Sequence, residues 1–368
     1  MKSYFSLGLM SGTSADGVDA SIIQSDGDTQ YKVILEKYFK YNQNIYDNIH
    51  NLKEEINNSE DLKKLSKKIQ PLEKEITLFH ANAVNKIAKE FKLNIDFVGF
   101  HGQTIFHNAK EKISQQLGNG KLLSELTQKT VIYDFRQNDL KNGGHGAPLT
   151  PVFHKLLKKI FKIKKATFVN IGGIVNITKI EEDESMSGSD IGPGMCLIDR
   201  WIRHKSKKNY DENGLLAKSG KLNKNVLTQL IKKFHEDEKI LRTGAIQSFD
   251  TKHFDFSFVK DLSLEDGATT LTEFTAQIII KALKKENYDE RKIILCGGGR
   301  KNSFLVKRLE EENKSIILID KYEINGDFVE SQAFAYLAIR SFLNMPISFP
   351  MTTGCSKPCS GGVIIKIK

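Results

Sequence analysis

A chain of 368 residues with 27% charged side chains and only 7 prolines has the composition of a folded globular protein, long enough for two cores. Its 55 basic and 45 acidic residues leave a net charge of +10. The lysines are scattered and many face acids on helix-patterned stretches, which argues against a nucleic-acid partner and leaves room for an anionic small substrate. The apolar run Tyr4–Met10 is short and broken by Gly8, so neither a signal peptide nor a membrane helix is expected.

The chain opens on a strand–turn–strand unit, with Leu7–Met10 and Val18–Gln24 flanking Ser11-Gly12-Thr13-Ser14-Ala15-Asp16-Gly17. Glycines let phosphate approach the backbone, Thr13 and Ser14 carry hydroxyl donors, and Asp16 suits a hydrated Mg²⁺. The same residues also suit a plain hairpin turn built on Asp16-Gly17. No lysine follows, so this is not a P-loop. A third strand is expected at Tyr31–Leu35. An apolar stripe at Leu62, Leu65, Ile69, Leu72, Ile76 and Phe79 then predicts a helix, with Pro71 at its start or at a kink.

Short buried strands are predicted at Phe97–Phe100 and Thr130–Tyr133. The first leads into His101, Gln103 and Thr104, the second into Asp134-Phe135-Arg136, and α/β folds gather ligands at such strand ends. A lone histidine is more often structural, so His101 counts for its setting; Arg136 suits a carboxylate clamp. Asn142–Leu149 reads as a loop near a hinge between lobes. His107, His145 and His154 lack metal-ligand spacing, and no protein-bound metal is expected.

A lysine-studded helix, His154–Lys165, leads to a second strand–turn–strand unit, Ala166–Thr178, turning at Gly172-Gly173. Ser189–Gly194 reads as a glycine-rich bend, where Asp190 is either a general base or an Asx turn or N-cap before the next helix. Helices are predicted at Leu222–Phe234 and Thr269–Lys285, then strand Lys292–Leu295, the triplet Gly297-Gly298-Gly299, helix Ser303–Glu312, strand Ser315–Ile319 and helix Phe328–Leu343. Three glycines before a helix suit a nucleotide contact. Glu330 either complements the helix dipole or reaches a sugar hydroxyl. The four cysteines (Cys196, Cys296, Cys355, Cys359) form no zinc-type CxxC pairs, as in a reduced, cytoplasmic protein. The whole reads as an α/β protein of two similar lobes, residues 1–133 with 344–368, and residues 134–343.

Taken in order, GLMSGTSADGVDA (Gly8–Ala20), GFHGQTIFH (Gly99–His107), QLGNG (Gln116–Gly120), DFRQNDLKNGGHGAPLTP (Asp134–Pro151), NIGGIVNIT (Asn170–Thr178), SDIGPG (Ser189–Gly194), CGGG (Cys296–Gly299) and ESQAFAYLAIR (Glu330–Arg340) closely resemble the anhydro-N-acetylmuramic acid kinase family, nearly end to end. The resemblance implies two ribonuclease-H-like lobes around an ATP cleft, as in actin, Hsp70 and sugar kinases. It implies that ATP phosphorylates O6 of 1,6-anhydro-N-acetylmuramic acid while water opens the anhydro bridge, in cell-wall recycling. Asp190 becomes the base. Gly12, Thr13, Ser14, Ala15, Asp16, Gly17, Val18 and Asp19 become the phosphate loop, Gly172 and Gly173 its counterpart, and Gly297, Gly298 and Gly299 the adenosine side. His101, Gln103, Thr104, Arg136 and Glu330 fall on the sugar side, Mg²⁺ travels with ATP, and a homodimer is implied. Ala15, Ile191 and Met195 depart from the residues common in the family, and Arg242–Ile246 keeps its Thr-Gly pair without the usual Arg-Glu.

Overall fold

The computed structural model describes every residue except 1, 242–248, 250, 285–290 and 368. Arg242–Ile246 therefore lies outside the described residues. The strands in chain order are β1 (Tyr4–Ser11), β2 (Gly17–Ser25), β3 (Tyr31–Lys40), β4 (Phe97–Asn108), β5 (Ile113–Leu117), β6 (Thr130–Tyr133), β7 (Lys165–Ile171), β8 (Ile174–Ile180), β9 (Met186–Pro193), β10 (Arg291–Cys296), β11 (Ile316–Leu318) and β12 (Val363–Ile365).

These strands form two sheets. One has the order β12-β6-β4-β1-β2-β3, with β5 paired to β4; the other has the order β11-β10-β7-β8-β9. In the first, β1, β2 and β3 are successively antiparallel, and β4 and β6 continue from β1 in parallel. In the second, β7, β8 and β9 repeat the antiparallel trio, and β10 and β11 continue from β7 in parallel. Strand for strand, the order β3-β2-β1-β4-β6 reappears as β9-β8-β7-β10-β11. The duplication suggested by two glycine turns is a duplication of whole sheets, the two-lobed α/β arrangement that the resemblance implies.

The chain divides into two compact units, Met1–Ile160 with Phe328–Lys368, and Phe161–Asp327. Residues 134–160 and 328–343, expected in the second lobe, thus belong with the first. The physical reason is the helix Val329–Phe342, which packs on β1, β2 and β4 and also meets the helix Pro151–Ile160. Gly8 and Gly99 are register partners on β1 and β4 beneath that helix. A Cβ added at Gly8 would lie 1.9 Å from the Ser331 carbonyl oxygen, and one at Gly99 2.3 Å from that of Phe334. Helix backbone therefore rests directly on strand backbone, which only glycine permits. The Ser21 and Ser331 hydroxyls, 2.7 Å apart, satisfy each other in the same buried layer.

Elsewhere in this unit the core joins Leu7, Leu9, Val18, Val98 and Phe100 of the strands to Ile49, Ile76 and Val84 of the helices Gln43–Glu55 and Ser66–Glu90. Pro71 sits inside Ser66–Glu90 rather than at its start. It faces solvent, where water can satisfy the carbonyl that proline leaves without a donor. In the second unit the helix Leu264–Lys284 carries Ala276, Ile279 and Leu283 against Val169, Ile177 and Leu295 of the sheet.

Two histidines of the first unit, His80 and His154, are almost wholly buried. Burial pushes His80 down to about 4 and His154 to about 3. Both are neutral when folded and gain a proton on unfolding below roughly pH 6.5, the ordinary imidazole value. Their contribution is therefore complete above that pH and is lost as pH falls toward the folded values. The slope is up to about 1.4 kcal/mol per pH unit for each. Urea midpoints are expected to drop between pH 7 and pH 5; equal midpoints would show that these imidazoles are not held neutral.

Candidate functional site

In the first unit, the turn between β1 and β2 presents Thr13, Ser14 and Asp16 to solvent, while Ala15 and Val18 are fully buried. Ala15 has a φ of 53°, so it and Val18 offer a ligand backbone only. The turn is held from below. The Ser11 hydroxyl donates to Gln103 Oε1 (2.6 Å), Gln103 Nε2 donates to the Gly12 carbonyl (3.1 Å), and the Tyr41 hydroxyl donates to Ser11 (3.2 Å). Gln103 is 1% exposed, so its amide acts as a strut for the loop. From above, Ser14 donates to Asp16 Oδ1 (2.6 Å), and Lys53 Nζ and His50 Nε2 donate to the carbonyls of Thr13 (3.3 Å) and Ser14 (3.0 Å). Lys53 and His50 carry no sequence motif; only the fold brings their helix to the loop.

The polar run after Phe100 does not end a short strand. β4 continues to Asn108, helped by Gly102 at φ 74° and by a register shift between Thr104 and Phe106. His101 is buried on it, with Arg136 Nη2 donating to its Nε2 (2.8 Å). A guanidinium offers no acceptor, so Nε2 must be bare and Nδ1 carries the proton, donated to the Gly102 carbonyl (2.8 Å). Burial, and next the Arg136 charge, hold this histidine well below the usual imidazole range. Arg136 Nη1 also donates to the Gly146 carbonyl (2.7 Å), and Gly146 N–H donates to the buried Asp139 Oδ2 (2.7 Å). Asp139 Oδ1 accepts from Thr353 (2.6 Å), which ties the Asn142–Leu149 loop to the C-terminal segment. Thr104 accepts from Gln116 Nε2 (3.2 Å), joining two of the motifs. Glu330 stands in the first turn of Val329–Phe342. The structure thus forms two hydrogen-bonded pairs, Gln103 with Gly12 and His101 with Arg136, from positions two residues apart on β4.

In the second unit Asp190 lies on a strand, β9, and not in a bend. Nor does it cap the following helix, Cys196–Lys205, whose N-cap is Met195. Serine, glycine, aspartate and proline are poor strand formers, but pairing with β8 overrides that preference. Asp190 is 8% exposed, and its Oδ2 accepts the Phe249 N–H at 2.9 Å. Across the sheet, Asn170 of β7, Asn176 of β8 and Asp190 of β9 are successive register partners. Gly172 and Gly173 accept from the N–H groups of Met195 (2.9 Å) and Gly194 (2.9 Å), fixing the turn at the end of this row.

The glycine triplet closes the same end of the sheet. A Cβ at Gly297 would meet Asn170 Oδ1 at 2.4 Å and one at Gly299 would meet Ile171 Cγ2 at 2.3 Å, whereas nothing lies within 4 Å of Gly298. The outer two glycines serve packing and the middle one is open to a ligand. Helix Ser303–Glu312 begins only after a 3₁₀ turn, Gly298–Lys301, and Asn302 caps it by accepting from Leu305 N–H (3.0 Å). The positive helix end expected behind the glycines is therefore occupied by a side chain. Arg300 is a strut too, paired with Asp320 (2.7 Å) and Asp327 (2.6 Å) while 6% exposed.

The family model for anhydro-N-acetylmuramic acid kinase matches residues 4–367. The anhydro-N-acetylmuramic acid kinase of Pelagibacter ubique (strain HTCC1062) is 52% identical, covering 99% of each chain. Those of Brucella canis and Zymomonas mobilis are 35% and 36% identical, with at least 97% of each chain covered. Since the match runs through both sheets and takes in every residue described above, the chain belongs to the anhydro-N-acetylmuramic acid kinase family.

Proposed function

We propose that this kinase adds water across the 1,6-anhydro bridge of anhydro-N-acetylmuramic acid as it phosphorylates O6, with Asp190 as the base. Water attacks the anomeric carbon and loses a proton to Asp190. The C1–O6 bond breaks, O6 takes the γ-phosphoryl group of ATP, and ADP leaves with N-acetylmuramic acid 6-phosphate. The departing O6 is itself the nucleophile toward phosphorus, so no separate acid is required. The observation that carries this reading is the placement of Asp190: nearly buried on β9, with one carboxylate oxygen pinned by Phe249 N–H. A carboxylate so placed also stabilises oxocarbenium character at the anomeric centre.

In this reading Gly12–Asp19 and Gly172–Gly173 grip the phosphates and Gly297–Gly299 the adenosine side. Arg136, Thr104 and Glu330 meet the sugar, with His101 and Gln103 set behind them. The sugar carries a lactyl carboxylate, for which the guanidinium aimed by His101 is suited. Asp16, exposed on the turn, and Asp19, half-buried, fit a hydrated Mg²⁺ held mainly by phosphate oxygens. Such an ion would offset charge on the transferring phosphoryl group. Among the described residues no cluster of His, Cys, Asp and Glu is arranged to hold a metal alone. A cytoplasmic homodimer completes the proposal; all four cysteines are buried, and no described helix is long and apolar enough to cross a membrane.

The test is turnover of Mg²⁺-ATP and 1,6-anhydro-N-acetylmuramic acid in ¹⁸O-water. The sugar product is expected to gain one phosphoryl group and one water, with the label on carbon and none on phosphate. Phosphorylation without added water would make the enzyme an ordinary sugar kinase, and hydration without phosphate a hydrolase.

A further inference from the structure

Asn176 is absent from the roles given above, yet it stands directly across the β8–β9 ladder from Asp190. Directly opposed residues on antiparallel strands share a face, with Cβ atoms on the order of 5 Å apart. The register shifts between Val175 and Asn176, so that Val175 faces Gly192 while Asn176 faces Asp190, and Ile191 is the extra residue. Such a bulge re-aims side chains, and bulges concentrate beside active sites. The Asn176 Oδ1 atom is buried and accepts no hydrogen bond from the described residues. A buried amide oxygen without a donor is costly, and native proteins keep one where a water or ligand completes it.

We infer that Asn176 is the second acceptor for the attacking water. One O–H of that water points to the Asp190 carboxylate and the other to Asn176 Oδ1, which turns an oxygen lone pair toward the anomeric carbon. As the new C–O bond forms and C1–O6 breaks, the proton facing Asp190 transfers to it. The hydrogen facing Asn176 stays on the new anomeric hydroxyl. Asn176 thus touches the reacting water without exchanging a proton with it. A single acceptor leaves the water free to rotate; two fix it in a near-attack orientation.

This inference rests on Asp190 being the base, and the two can fail separately. Asn176→Ala is expected to lower kcat by roughly 10- to 100-fold, with the KM values for ATP and sugar within about twofold, the signature of an interaction made in the transition state. Asn176→Asp restores an acceptor of the same shape and adds a like charge opposite Asp190, which raises the pKa of the base. Its kcat is expected to exceed that of Asn176→Ala at high pH, with the acidic limb of the pH–kcat profile displaced upward. Unchanged kcat in Asn176→Ala, or a loss confined to KM, overturns the role of Asn176 while leaving that of Asp190 standing. An undisplaced acidic limb in Asn176→Asp overturns it too, and that variant keeps the side-chain volume if alanine disturbs the sheet. If Asp190→Asn keeps full turnover, the base assignment fails and Asn176 falls with it.

Discussion

Asp190→Asn is expected to lower turnover by about 10²–10⁴-fold, the usual range for a removed general base, while ATP still binds. The substitution keeps the side-chain shape and retains a carbonyl oxygen able to accept the Phe249 N–H now held at 2.9 Å. β9 should keep its pairing with β8, and melting should be little changed. What disappears is the ability to take a proton from water. Steady-state kinetics and calorimetric ATP titration of the same preparation separate the outcomes. Full activity in the variant would reduce Asp190 to a link between β9 and Phe249. Loss of both ATP binding and the folded state would point to a structural charge instead.

Gly99→Val is expected to be strongly destabilising, as any side chain at the neighbouring Gly8 would be. The added Cβ would sit 2.3 Å from the Phe334 carbonyl oxygen, a backbone atom that no rotamer change can move aside. Either the helix Val329–Phe342 lifts from the sheet or β4 shifts and breaks its register with β1. Overpacking of this kind costs about 1–3 kcal/mol or more, and the upper end applies where backbone meets backbone. Gly298→Ala is the control: nothing lies within 4 Å of the added atom, and stability should change by less than about 0.5 kcal/mol. Denaturant midpoints of the two variants settle the matter. Near-equal midpoints would mean that the helix is not seated on glycine.

Much of the fold is legible in the chain because its signals are local. Two glycine turns between apolar strands mark the start of each sheet, and the helix Ser303–Glu312 coincides with its periodic pattern. β9 is hidden, since Ser187-Gly188-Ser189-Asp190 has turn chemistry and becomes a strand only by pairing with β8. The continuation of β4 through His101 and Gln103 is hidden for a similar reason: polar residues there are buried because they hold one another and the loop. The boundary between units falls elsewhere than expected because the helix Val329–Phe342 is buried on nearly every face. Mid-strand glycines at Gly8 and Gly99, and small residues at Ser331 and Ala335, were the available clue to its seat. Asn176, one polar residue among Ile174, Val175 and Ile177, gives only a faint signal. It acquires meaning when the ladder sets it opposite Asp190.

The first unit is built from both ends of the chain, with Phe161–Asp327 inserted between them. Protein synthesis proceeds from the N-terminus, so the second unit's residues all leave the ribosome before the helix that covers Gly8 and Gly99 has been made. Until then β1 and β4 present an apolar, glycine-floored face to water, with the strands already joined by neighbours but the cover missing. A nascent chain arrested near residue 327 therefore carries an exposed hydrophobic patch of the kind that chaperones bind and that drives aggregation. The unit that starts before the other is finished after it, and its completion depends on residues translated only once the whole of the other has been made.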